Sequence, residues 1–383
     1  MTAPAEPLAL YVHWPFCVAK CPYCDFNSHV RETIDQDAWR DALLADLAHE
    51  AALLPGRVLG SIFFGGGTPS LMPPGTIAAL IEAAGRHWRF ADDIEITMEA
   101  NPNSAEAARF AQVADAGVNR LSLGLQALDD DALRFLGRAH DVAEALAALE
   151  AAQRSVVRVS IDLIYARPGQ SEDDWEAELG RALGFGTDHL SLYQLTIEPG
   201  TRFETDVRRG CFTPADADHA AGLFELTRAM TQAAERPAYE ISNHAAPGQE
   251  SRHNLAYWRY RDYAGIGPGA HGRRGGFATV RHRKPENWLG AMARNGHGLA
   301  EERALDPAER AVEALMMGLR LSEGVDLGNL ATRTGVARDA LVDSDAVDHL
   351  AAHGLLRQDG ERLCVTPAGM LLLDAILAEI VAV

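Results

Sequence analysis

Six β-rich runs recur through the first two hundred residues, separated by stretches of helix formers with recurrent apolar positions. The strand-like runs are Leu8–Val12, Val58–Phe64, Ile94–Pro102, Val118–Gln126, Val156–Tyr165 and His189–Thr201. Helical spacing covers 34–54, 74–89, 104–115, 129–136, 141–153 and 172–183. Strands that alternate with helices require a mostly parallel sheet with right-handed crossovers. Glycine and polar residues follow the strands, at the end where a barrel or open sheet places its active site. No Gly-x-Gly-x-x-Gly fingerprint is present, which argues against a Rossmann dinucleotide site.

Past residue 202 the pattern changes. A charged stretch around Arg208 and Arg209 leads into a helix over 216–235. Residues 239–276 hold many glycines and aromatics without a helical period, as expected of a structured loop region lying against the sheet. A second domain is expected over 285–383, with helices at 307–320 and 343–353. Two short β-rich runs, Leu355–Arg357 and Arg362–Val365, flank Asp359-Gly360, a strong hairpin signal. Helices followed by a hairpin predict a small winged-helix-like α+β domain beside a first domain over 1–275. Residues 343–353 contain no Arg or Lys, so this domain reads as a protein-contact module and not as a DNA reader.

Composition narrows the setting. The 383 residues carry 54 acidic and 35 basic side chains, a formal charge of -19. Such a field disfavours nucleic acid and anionic lipid. The N-terminus lacks the basic and apolar regions of a signal peptide, and no run approaches a membrane span. A cytoplasmic protein is expected, reaching the inner membrane only through partners.

Three of the five cysteines, Cys17, Cys21 and Cys24, lie directly after the first strand. Soft thiolates select zinc or iron–sulfur clusters over hard cations. Three of them hold three corners of a cluster and leave one position open. Structural zinc is the alternative, completed by His13 or His29. The spacing Cys-x3-Cys-x2-Cys resembles the radical S-adenosylmethionine (SAM) superfamily. That resemblance implies a partial (β/α)6 barrel and a [4Fe–4S] cluster whose fourth iron is chelated by SAM.

The segments YVHWPFC, CPYCDF, FFGGGTPS, EANP, SLGLQ, IDLIY and LYQLTIEPGT resemble one branch of that superfamily, the relatives of oxygen-independent coproporphyrinogen III dehydrogenase. The dehydrogenases carry one further cysteine where this chain has Phe26, and an additional N-terminal segment. Phe26, the short start and the His253-Asn254-x-x-Tyr257-Trp258 motif resemble the heme chaperone subgroup. By this resemblance, Gly66, Gly67 and Thr68 meet the SAM amino group, and Glu99 the amino or ribose groups. Gln126 and Asp162 meet adenosine and ribose. For the SAM carboxylate the best cation is Arg138, with Arg120 behind it, because a guanidinium pairs bidentately with a carboxylate. Tyr11 is placed to reach the cluster or to pack as a strand-end aromatic. His253 is the residue the resemblance implies for heme; on the residues alone it is a hydrogen-bonded loop histidine. The function implied is delivery of heme to membrane-associated respiratory hemoproteins, with dimerisation of the chain. The alternative is radical decarboxylation of coproporphyrinogen propionates. One departure stands out: Ala166 occupies a position where the family has glycine.

Overall fold

The computed structural model describes residues 6–381. Its main sheet has eleven strands: β1 (Leu8–Trp14), β2 (Val58–Gly66), β3 (Arg89–Ala100), β4 (Arg120–Gln126), β5 (Arg158–Tyr165), β6 (His189–Gln194), β7 (Asn243–Ala245), β8 (Tyr263–Ile266), β9 (His271–Arg274), β10 (Phe277–Arg281) and β11 (Leu299–Ala304). Their spatial order is β11-β10-β9-β8-β1-β2-β3-β4-β5-β6-β7. Strands β1 to β6 run parallel in sequence order, with helices in the crossovers, as the alternating pattern requires.

Each of these strands divides its side chains by the period of two. On β4, Leu121, Leu123 and Leu125 enter the apolar core under the helices. Arg120, Ser122 and Gly124 face the opposite, concave side. The same split recurs on β3 (Ile96 and Met98 against Glu95, Thr97 and Glu99) and on β5 (Val159, Ile161 and Leu163 against Arg158, Ser160 and Asp162). Residues at the ends of β2, β3, β4, β5 and β6 line one cavity, so the sheet curves into a partial barrel with a polar interior.

The segment 239–276 is more regular than its composition suggests. It contains β7, β8, β9 and the helix Arg252–Trp258. These strands have three or four residues and are too short to display a period. β8 pairs in parallel with β1, and β9 to β11 extend that edge antiparallel. The helix Pro285–Asn295 and β11 therefore belong to the first unit, and Trp288 lies in its core. A boundary at 285 falls inside that unit. The small unit's own core starts at Ala311 and takes in Phe224 and Tyr260 from the barrel side. It comprises helices Pro307–Gly318, Leu327–Thr334, Ser344–Ala352 and Leu373–Ile380, with Val325–Asp326, Arg362–Val365 and Leu356–Asp359 forming a three-stranded sheet. The hairpin stands where Asp359-Gly360 places it. Among the described residues, no helix is long and apolar enough to cross a membrane.

Candidate functional site

The cysteine loop hangs from the carboxyl end of β1 and is fixed at several points. Phe16–Cys17 pairs in parallel with His29–Val30. The amides of Gly67 and Thr68 donate to the carbonyls of Trp14 (2.7 Å) and Phe16 (2.8 Å). That contact explains the glycines after β2. A Cβ on Gly67 would lie 2.6 Å from the Phe16 carbonyl oxygen, and Gly66 has φ +113° with His13 directly against it. From the other side, the Asn27 amide donates to the carbonyls of Pro268 and Arg283, both at 2.9 Å. His13 Nε2 donates to the Asn27 carbonyl (2.9 Å), which leaves Nδ1 to accept from the Tyr11 hydroxyl (3.0 Å).

Cys17, Cys21 and Cys24 open onto a cavity of about 480 Å³. Gly66, Gly67, Thr68, Glu99, Gln126, Arg138 and Asp162 line the same cavity, so these ten residues singled out in the sequence come together. Each sulfur has a polar neighbour. Thr68 Oγ1 donates to Cys17 Sγ (3.5 Å), Arg138 Nη1 to Cys21 Sγ (3.4 Å), and Ser28 Oγ lies 3.9 Å from Cys24 Sγ. Burial pushes the Cys17 and Cys24 thiols up, so the isolated thiolates are disfavoured until a cation offsets them.

These residues fit a [4Fe–4S] cluster better than a zinc ion. Both ring nitrogens of His13 are engaged, and His29 Nε2 lies 3.3 Å from Asn27 Oδ1. Among the described residues, no three Cys, His, Asp or Glu side chains converge on a single-ion position. A cluster needs only its three thiolate corners, with donors to sulfur around it, and both are present.

The carboxylates of the cavity are shaped by desolvation. Burial, then the charge of Asp162, pushes Glu99 up to about 8, against the pull of the Gly66 amide at 3.1 Å. Burial pushes Asp162 up to about 6, although the Ser191 and Ser122 hydroxyls favour its charged form. Both folded values lie above the unfolded ones, so folding binds protons at these sites. Their stabilising contribution is fully present below about pH 4.5 for Glu99 and is lost as pH rises through about 8. The urea midpoint of ligand-free protein is expected to fall across that window, and Glu99→Gln to flatten the profile.

Gln126 has φ +69°, which turns the chain at the end of β4. Arg138 Nη2 donates to Asn101 Oδ1 (2.6 Å) and to the Gly124 carbonyl (3.3 Å), so this cation braces the wall beside Cys21. Ala166 adopts φ +56°, in the left-handed region that disfavours an L-residue by about 1–2 kcal/mol. An alanine in this conformation is therefore strained at the end of β5.

Tyr11 and His253 are not in the cavity wall. Tyr11 directs its hydroxyl to His13, and its ring lies over Phe63. His253 is 1% exposed, stacked on Phe63, with Nδ1 at 3.0 Å from Ser61 Oγ and Nε2 at 2.8 Å from the Tyr257 hydroxyl. Arg120 also lies away from the cavity, at the amino ends of the strands. Asn101 and Asn27, which hold the wall and the cysteine loop, carried no signal beyond their nearness to the EANP and CPYCDF segments.

The sequence matches the family described as the radical SAM superfamily over residues 11–181 and the HemN C-terminal domain over 305–372. It is 39% identical to the bovine mitochondrial protein named radical S-adenosyl methionine domain-containing protein 1, over 99% of this chain and 88% of that one. It is 37% identical to the heme chaperone HemW of Escherichia coli K12, over 97% of each. The solved coproporphyrinogen III oxidase (HemN) of Escherichia coli has the same fold, with a TM-score of 0.82 over 98% of this chain and 90% of that one, at 23% identity. The chain belongs to the radical SAM superfamily, in the family of HemW and its mitochondrial relatives.

Proposed function

We propose that this protein is a heme chaperone that binds heme and passes it to membrane-associated respiratory hemoproteins. The observation that carries this reading is likeness to HemW along nearly the whole chain, together with Phe26 in place of a further cysteine. Cys17, Cys21 and Cys24 would hold the cluster. The Gly66–Thr68 backbone and Glu99 would receive the SAM amino group, Gln126 and Asp162 the adenosine and ribose, and Arg138 the carboxylate. Bound there, a [4Fe–4S] cluster supplies one-electron chemistry toward SAM. The residues themselves bind, orient and desolvate. An ammonium group beside Glu99 favours the ionised carboxylate and offsets its burial. Transfer of heme between dimerised copies of this chain and an acceptor needs no membrane segment of its own.

His253 enters this reading with a condition. Both ring nitrogens are engaged, so iron ligation at Nε2 requires the Tyr257 hydroxyl to leave. The test is anaerobic cluster reconstitution followed by hemin titration, with absorption spectra of the wild type and His253→Ala. Stoichiometric binding is expected for the wild type. Loss in the variant, with a far-ultraviolet spectrum unchanged, assigns the ligand to His253. Retention in the variant moves the ligand elsewhere. No binding by the wild type sinks the chaperone reading and makes anaerobic conversion of coproporphyrinogen III the next assay.

A further inference from the structure

The amino ends of the strands, opposite the cysteine cavity, border a second cavity of about 240 Å³ lined by Arg120, Arg158, Thr187, Asp188 and His189. The Arg158 guanidinium is paired there with the buried Glu95 carboxylate at 2.7 Å, and Arg120 bears on that carboxylate only through its charge. Burial alone would raise Glu95. The charges of Arg120 and Arg158 and the amides of His253 and Arg252 hold it below its ordinary range. Its oxygens are already saturated. Oε2 accepts from Arg158 Nη1 (2.7 Å) and the Arg252 amide (3.2 Å); Oε1 accepts from the His253 amide (3.2 Å) and Ser251 Oγ (3.4 Å). Arg158 completes its set on the carbonyls of Gln249 and Glu250.

Arg120 is left over. Its side chain is 2% exposed, borders the cavity, and has no hydrogen bond and no ion pair within 4.0 Å among the described residues. His189 cannot serve it, because Nδ1 meets Ser160 Oγ at 2.7 Å and Nε2 meets the Tyr239 hydroxyl at 3.0 Å. Thr187 also lines this cavity, with its hydroxyl buried in the protein. A guanidinium with no protein acceptor, bordering a cavity, favours an acceptor that enters that cavity.

We propose that this cavity binds a small oxyanion, held by the Arg120 guanidinium. The guanidinium fork matches two oxygens of a carboxylate or phosphate. The volume is below the roughly 300 Å³ where pockets for drug-sized ligands begin, so a porphyrin ring is excluded. Asp188 is an exposed carboxylate at the rim and selects against larger polyanions. Because Glu95 joins Arg120 electrostatically to the amides that open the helix Arg252–Trp258, an anion here acts on the segment that carries His253.

The probe is inorganic phosphate added to full-length protein at constant ionic strength, read as the thermal unfolding midpoint. A saturable rise is expected for the wild type. Arg120→Met removes the charge without orphaning Glu95, which keeps four donors, and is expected to weaken binding by about 10- to 100-fold. Asp188→Asn should strengthen it. Acetate run in parallel separates the two sources: the ion whose effect saturates and depends on Arg120 is the class the site takes. Absence of a saturable rise with either ion in the wild type overturns the proposal, as does an equal rise in wild type and Arg120→Met. Neither result bears on heme titration, so this site and the chaperone reading fail separately.

Discussion

Asp46→Ala is expected to lower stability by about 3–5 kcal/mol or more, read as a large fall in the urea midpoint. Asp46 lies in the helix Gln36–Leu53 and is fully buried. Its Oδ2 accepts from Arg281 Nε (2.7 Å) and the Gly267 amide (3.1 Å), and its Oδ1 from Arg281 Nη2 (3.2 Å) and the Gly298 amide (3.3 Å). One turn on, Glu50 accepts from Arg281 Nη2 (2.9 Å) and from Arg274 Nε (2.7 Å). Alanine at 46 strips a fully buried guanidinium of one of its two carboxylate partners and orphans two buried amides. Breaking one side of a buried pair is far more damaging than replacing both sides. The double variant Asp46→Leu with Arg281→Met should therefore recover part of the loss. If Asp46→Ala proves nearly neutral, the network is ornamental and the argument fails.

This network also reaches the site. Gly267 has φ +91° and a Cβ there would lie 2.3 Å from the His13 carbonyl oxygen, so it permits the close approach of β8 to β1. The next residues, Pro268 and Gly269, back the cysteine loop through Asn27. Loosening the clamp is expected to loosen the loop that carries the thiols.

The parts of this molecule that were legible in the sequence are those governed by local period and local chemistry. RLSLGLQ displays its buried leucines and polar alternates directly, and the cysteine trio, the glycines after β2 and the carboxylates at strand ends announce themselves by spacing. The Asp46–Arg281 clamp does not. On the helix Gln36–Leu53, Asp46 and Glu50 look like the other acidic residues of that helix, and only the approach of strands more than two hundred residues later buries them. Strands β7 to β9 were hidden by shortness, and the joining of 285–304 to the main sheet by its dependence on an edge built from distant segments. That Tyr11 and His253 stand outside the cavity wall was not legible for a related reason. An inward-facing position on a strand or a motif on a helix does not say at which end of the barrel the side chain ends up. The polar lining of the concave side, which includes Arg120, was visible as alternation but not as a site, because orphaned donors exist only once neighbouring partners are counted.

Replacing any one of Cys17, Cys21 or Cys24 by alanine is expected to abolish cluster assembly, whereas Cys211→Ala and Cys364→Ala should leave it intact. Anaerobic reconstitution followed by iron and sulfide analysis and visible absorption makes the comparison. The contrast follows from placement. Cys211 is exposed and does not line the cysteine cavity, and Cys364 is buried in the small unit with its thiol directed to the Glu323 carbonyl at 3.3 Å. Neither can substitute for a missing corner. A zinc site would behave differently: it would bind a colourless ion at one equivalent, and would tolerate loss of a thiolate if a histidine could step in. His13 cannot do so without giving up Tyr11 and Asn27. Arg138→Met adds a finer test. It removes the N–H donor on Cys21 Sγ and a nearby positive charge, both of which favour the more negative reduced cluster. The variant should assemble its cluster but show a lower reduction potential than the wild type. An unchanged potential would mean that Arg138 braces Asn101 and Gly124 and does not tune the cluster.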